Sequence, residues 1–162
     1  MTFKELFEVG QKFENYIEVG TQGEKDRIPK NYSRIDLPMD LIDEIKKIQE
    51  RVYILASGEM WCPDCQLNIT VAEKLTEIND NIKLSIISMG RGRKFLTPLL
   101  NLEEFKIPTM VILDENFNQK GLFLEQPKTA KKLEDTAENK LFYLKGNFLT
   151  DTARELIQLI KK

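Results

Sequence analysis

Apolar positions along the chain recur with two periods, and the alternation between them outlines the elements. Phe3, Leu6, Phe7, Phe13 and Ile17 return near the helical period, and Thr2 and Glu5 have the spacing of a capping box. This predicts a helix over 3–18, loosened at Gly10. GTQGEKDRIPKNYS, at 20–33, reads as a polar loop. Pro38 fits the first turn of a second helix that buries Leu41, Ile45 and Ile48 and exposes Asp43, Glu44, Lys46 and Lys47. VYILAS, at 52–57, is a short continuous apolar run, as expected of a strand buried on both faces in a parallel sheet.

Leu67, Val71, Leu75 and Ile78 then follow helical spacing up to the stop at Asn79-Asp80-Asn81. IKLSIISM (82–89) reads as a second buried strand, and a short helix is expected over 93–104 around Phe95, Leu99, Leu100 and Leu102, with Pro98 an irregularity. TMVILD (109–114) and KGLFLE (120–125) are predicted to form a hairpin turning at Glu115-Asn116-Phe117-Asn118. EQPKTAKKLEDTAENK reads as a solvated helix or loop without chemistry, and a last helix beginning near Thr152–Glu155 buries Leu156, Leu159 and Ile160.

The resulting order is helix, helix, strand, helix, strand, helix, strand, strand, helix. A β-α-β unit followed by a hairpin predicts an α/β protein in which a mixed sheet is sandwiched between helices, with a helical extension at the N-terminus. No repeat, low-complexity tract or boundary divides the chain. One domain over 1–162 is expected, made of an extension (1–50), a core (51–126) and a C-terminal helical part (127–162).

Composition narrows the chemistry. The 24 Lys and Arg against 26 Asp and Glu leave a net charge of −2, without the basic excess that a nucleic-acid partner calls for. There is no histidine, which excludes imidazole bases, Cys-His and Ser-His pairs, and every zinc site built on imidazole. The opening MTFKELFEVGQKFE lacks the apolar segment of a signal peptide, and no run approaches the ~18 apolar residues of a membrane span. A cytoplasmic location is therefore expected, with no membrane partner and with thiols kept reduced.

Against that background GEMWCPDC, at 58–65, holds both of the chain's cysteines, three positions apart. Cys62 follows a predicted strand and opens a predicted helix, where unpaired amides and the positive end of the helix dipole favour a thiolate. Cys65, at i+3, lies on the same helix face within reach of a disulfide. One sulfur is placed to attack a partner disulfide, and the other to resolve the mixed disulfide that forms. Zinc would need four ligands, and the chain offers no further cysteine or histidine, so no metal is expected. Two inert, packed cysteines remain the plain alternative.

WCPDC, at 61–65, resembles the active-site WCxxC of the thioredoxin family, and Phe105-Lys106-Ile107-Pro108-Thr109 resembles that family's cis-proline loop. Together the two motifs cover about residues 50–125. The resemblance implies a thioredoxin-like fold and a thiol–disulfide oxidoreductase with Cys62 as nucleophile and Cys65 as resolving thiol. It further implies a cis Pro108 beside Cys62, backbone groups of Ile107 that pair with a substrate strand, and Trp61 as a flat apolar surface next to the nucleophile. Packing in the core is the plain alternative for Trp61, and the two roles are compatible. Pro63 and Asp64 stand where thioredoxins usually carry Gly-Pro; WCPDC itself is similar to a small cytosolic thioredoxin-related subfamily with narrower substrate choice. The family's buried aspartate falls on Ala56, so another group must deprotonate Cys65, such as water or an inward-turned Glu59.

Two effects on Cys62 oppose each other. The helix N-terminus favours thiolate by roughly 0.3–2 kcal/mol, while Asp64 at ~6 Å costs ~0.7 kcal/mol in a water-like dielectric. A modest net lowering of the Cys62 pKa follows. With no cation between the cysteines, a reducing poise near the ~−270 mV of thioredoxin is expected. Arg91, Arg93 and Lys94, in GRGRK, could steer an acidic partner or form a solvated loop. The expected function is disulfide reduction with no cofactor beyond a redox-active Cys62–Cys65 disulfide. The expected partners are a disulfide-containing protein or small-thiol substrate and an unidentified reductase as electron donor. The rival is a non-catalytic docking module that uses its CxxC as a redox-sensitive latch.

Overall fold

A computed structural model describes residues 1–162. Four strands form one sheet in the order β2-β1-β3-β4, with β1 at Val52–Ser57, β2 at Ile82–Ile87, β3 at Thr109–Leu113 and β4 at Gln119–Leu124. β1 and β2 run parallel in the register Val52↔Ile82, whereas β3 is antiparallel to both β1 (Ser57↔Thr109) and β4 (Thr109↔Leu124). This is the predicted mixed sheet, and the strand bounds fall within two residues of those expected.

Strand periodicity divides the core. Val52, Ile54 and Ala56 of β1 belong to the larger cluster, with Met110, Ile112 and the buried faces of most of the helices. Leu55 belongs to a smaller cluster on the other face, with Val111, Leu113, Leu6 and Leu96. Successive side chains of one strand thus feed two layers, which is why VYILAS is apolar throughout.

Nine helices surround the sheet: α1 (Phe3–Val9), α2 (Phe13–Glu18), α3 (Gln22–Ser33), α4 (Met39–Lys46), α5 (Pro63–Ile78), α6 (Met89–Leu99), α7 (Lys128–Lys131), α8 (Ala137–Leu144) and α9 (Leu149–Ile160). α4 buries Leu41 and Ile45 as predicted, with Ile48 half-buried beyond its end.

Four expectations are corrected. The helix over 3–18 is two helices: at Gly10 the backbone turns extended, and Gln11 exchanges two 2.8 Å hydrogen bonds with Ile86 of β2. Gly10 permits this approach, because a Cβ there would sit 2.0 Å from the Ser85 hydroxyl oxygen. The polar stretch 20–33 is not a loop but contains α3, opened by a capping box in which Thr21 Oγ1 accepts from the Glu24 N–H (3.2 Å) and Glu24 Oε1 accepts from the Thr21 N–H (2.9 Å). α6 starts four residues earlier than expected, capped by the Ser88 hydroxyl, and ends at Leu99. α9 starts a turn earlier than expected, so Thr152 lies inside it rather than at its cap.

Candidate active site

Cys62 is the N-cap of α5 and Pro63 its first residue, so the sequence itself sets where the helix begins: proline lacks the amide hydrogen that this position cannot use. The Cys62 sulfur accepts from the Cys65 N–H at 3.3 Å, as a cap side chain should. Both cysteines are free thiols. Hydrogen bonding from Cys65 is the main influence lowering the Cys62 pKa, against burial and the Asp64 charge, which raise it. The direction matches the sequence-based balance, although the dominant cause is the neighbouring thiol.

Cys65 lies one turn behind, fully buried. Burial above all, and then Cys62, pushes its pKa far above the ordinary thiol value. Its environment explains Gly58: a Cβ there would meet Ile69 Cδ1 at 2.6 Å and Cys65 Sγ at 3.0 Å. Cys62 is more enclosed than expected of a nucleophile at a helix tip, with only 5% of its surface exposed. The Pro108 loop accounts for this cover. The Ile107–Pro108 bond is cis, Pro108 is buried, and the Cys62 thiol donates to the Ile107 carbonyl at 3.8 Å. The Ile107 N–H itself has no backbone acceptor.

Trp61 is 56% exposed, so its indole is surface rather than core. Pro63 is exposed beside it, and Asp64 is half-buried. Burial raises the Asp64 pKa, while Tyr143 and Gln126 pull it back, the latter donating from Nε2 to Oδ1 at 3.2 Å. Ala56 is fully buried and supplies no acid. The Glu59 carboxylate accepts from the Met89 N–H (3.1 Å) at the start of α6. Arg91, Arg93 and Lys94 lie on the exposed face of α6.

Several residues of this neighbourhood were not legible beforehand. Asn68, almost fully buried on α5, places its amide nitrogen 3.0 Å from the Asp64 carbonyl, 3.1 Å from that of Glu125 and 2.9 Å from the Tyr143 hydroxyl. Its carbonyl oxygen accepts from Thr152 at 2.6 Å. The supposedly inert segment after β4 thus supplies Gln126, and the helix following it supplies Tyr143. Tyr16 of α2 is buried with a hydroxyl that has no partner, and burial and the nearby cysteines raise its pKa. Gln66, Asn68 and Thr70, alternating with Leu67, Ile69 and Val71 in the first half of that helix, were the one available signal, since buried polar side chains require partners.

The sheet order, the thiol pair at the start of α5 and the cis-proline loop facing it define a thioredoxin-like α/β protein. A family model described as thioredoxin matches residues 10–138, and the chain belongs to that family. Two crystal structures align over 99% of this chain and 98% of theirs, each at 31% identity and a TM-score of 0.93. One is a Pseudomonas aeruginosa protein of unknown function, and the other an HIV epitope-scaffold. No curated protein matches the chain. No helix is long and apolar enough to cross a membrane.

Proposed function

We propose that this protein is a thiol–disulfide oxidoreductase that acts mainly as a disulfide reductase. The observation that carries the reading is the asymmetry of the two thiols: Cys62 at the helix N-terminus has a lowered pKa, and Cys65 behind it has a raised one. A thiolate is the attacking species and is needed on one sulfur at a time.

In the forward cycle the Cys62 thiolate attacks one sulfur of the partner disulfide. The partner's other sulfur leaves as a thiolate and takes a proton from solvent. Cys65 then loses its proton and attacks Cys62 Sγ, and the second partner sulfur departs. The partner gains two electrons and becomes a dithiol, while the protein is left with a Cys62–Cys65 disulfide. An electron donor, so far unidentified, must return those two electrons and reduce the Cys62–Cys65 disulfide.

Cys65 becomes a stronger acid late in this sequence, although burial still holds its pKa up. Once Cys62 is held in a mixed disulfide its negative charge is gone, and with it one of the influences that raise the Cys65 pKa. Trp61 and Pro63 offer the partner an exposed apolar surface, and the Ile107 backbone offers it a strand-like N–H. The absence of any cation between the cysteines favours a reducing potential, near ~−270 mV.

Insulin reduction with dithiothreitol tests the reading. The wild-type chain should turn over catalytically, Cys62→Ser should abolish turnover, and Cys65→Ser should accumulate a mixed disulfide on Cys62 detectable by mass. Binding without turnover would favour the latch instead.

A further inference from the structure

Next to the thiol pair, a cleft of about 370 Å³ opens between α3, α5 and α8. Its walls carry four cations: Arg27, Lys30 and Arg34 from α3 and its C-cap, and Lys145 from the end of α8. None of the four takes part in an ion pair, although the chain as a whole is slightly acidic. No acidic residue lines the cleft. Asn31, Gln66 and Leu67 form its buried lining and Pro63 its exposed edge, so the cavity begins at the residue directly after Cys62. Leu141 and Leu144, 54% and 43% exposed, add an apolar rim on the α8 side.

Four cations without ion-pair partners, around a lining of polar and apolar side chains, form a site for carboxylates on a polypeptide. Such a focused field raises the rate at which an oppositely charged partner arrives. We propose, resting on the reductase reading, that this cleft selects protein substrates in which an acidic polypeptide segment flanks the disulfide. The cysteine would meet Cys62 while the flanking Asp or Glu side chains lie among Arg27, Lys30, Arg34 and Lys145. The basic residues at 91–94 do not line this cleft; its cations come mainly from α3, the helix that the sequence pattern concealed.

The test compares three peptide disulfides of equal length whose cysteine is flanked by Glu, Gln or Lys. Oxidation of the reduced protein is followed in single turnover by the fluorescence of Trp61, the one tryptophan, so no reductase is required. The Glu peptide should react roughly tenfold faster than the Gln peptide at low salt, and the ratio should fall towards one at high salt. In the double variant Arg27→Glu, Arg34→Glu the order of the Glu and Lys peptides should invert. Equal rates for the three peptides, or an order unchanged by the double variant, would overturn the assignment. Glutathione disulfide reacting as fast as the Glu peptide would overturn it too, in favour of a small carboxylate disulfide. If no peptide oxidised the protein, the reductase reading would fall. Binding of the same peptides with serine in place of cysteine still decides the cleft: the Glu form should bind about tenfold tighter than the Gln form, and equal affinities refute the proposal.

Discussion

At the scale of single residues, the site is governed by which charges Cys62 can see. Asp64 is the one acid whose charge acts against the Cys62 thiolate. Replacing Asp64 by Asn should lower the midpoint of Cys62 alkylation by about half a pH unit, the equivalent of ~0.7 kcal/mol. Iodoacetamide labelling followed by peptide mass measures this, with Cys65 remaining the slower site. The same variant bears on stability. Because burial holds the Asp64 pKa above the usual carboxylate value, its contribution favours the fold when protonated and is lost as pH rises through the folded value. Asp64→Asn should therefore melt slightly higher at neutral pH, and that gain should vanish in acid. Cys62, Cys65 and Pro108 could be found from the sequence because their roles are local or motif-borne. Asn68 and Tyr143 could not, since they meet across 75 positions of chain.

At the scale of elements, the strands were legible and α3 was not, for opposite reasons. The strands are short apolar runs bounded by turn residues, and that length and punctuation mark them in the sequence. α3 buries only Ile28 and Asn31 and contains Gly23 and Pro29, so it carries almost no apolar stripe. What holds it is its cap and its seat on α5, where the Asn31 amide donates to the Gln66 carbonyl at 3.4 Å and Tyr32 bonds Glu77. A helix with so little buried surface depends on its first turn. Thr21→Ala should cost about 1 kcal/mol. That loss corresponds to a fall in melting temperature of roughly 2–4 °C for a chain of this size, read by calorimetry.

At the scale of the whole molecule, the core around the thiols draws on every part of the chain: the larger cluster runs from Tyr16 to Ile160 and includes Cys62 and Cys65. Asn68 is the polar counterpart of that cluster, bonding α5 to the end of β4, to α8 and to α9. Asn68→Ala would leave the Thr152 hydroxyl without its partner on α5 and take from the Tyr143 hydroxyl the donor it accepts from. The expected loss is about 1–3 kcal/mol, measured by urea unfolding. The larger share of it should fall on the unfolding rate if these distant contacts form late.

The pairing of Gln11 with Ile86 has a further consequence. β2 is the outermost strand on its side of the sheet, and its free backbone groups are a template onto which another chain could zip. By breaking a helix to donate one residue to that border, the N-terminal segment blunts it. The interruption at Gly10 thus covers part of that border, and a chain trimmed of its first dozen residues should self-associate more readily, as read by size-exclusion chromatography.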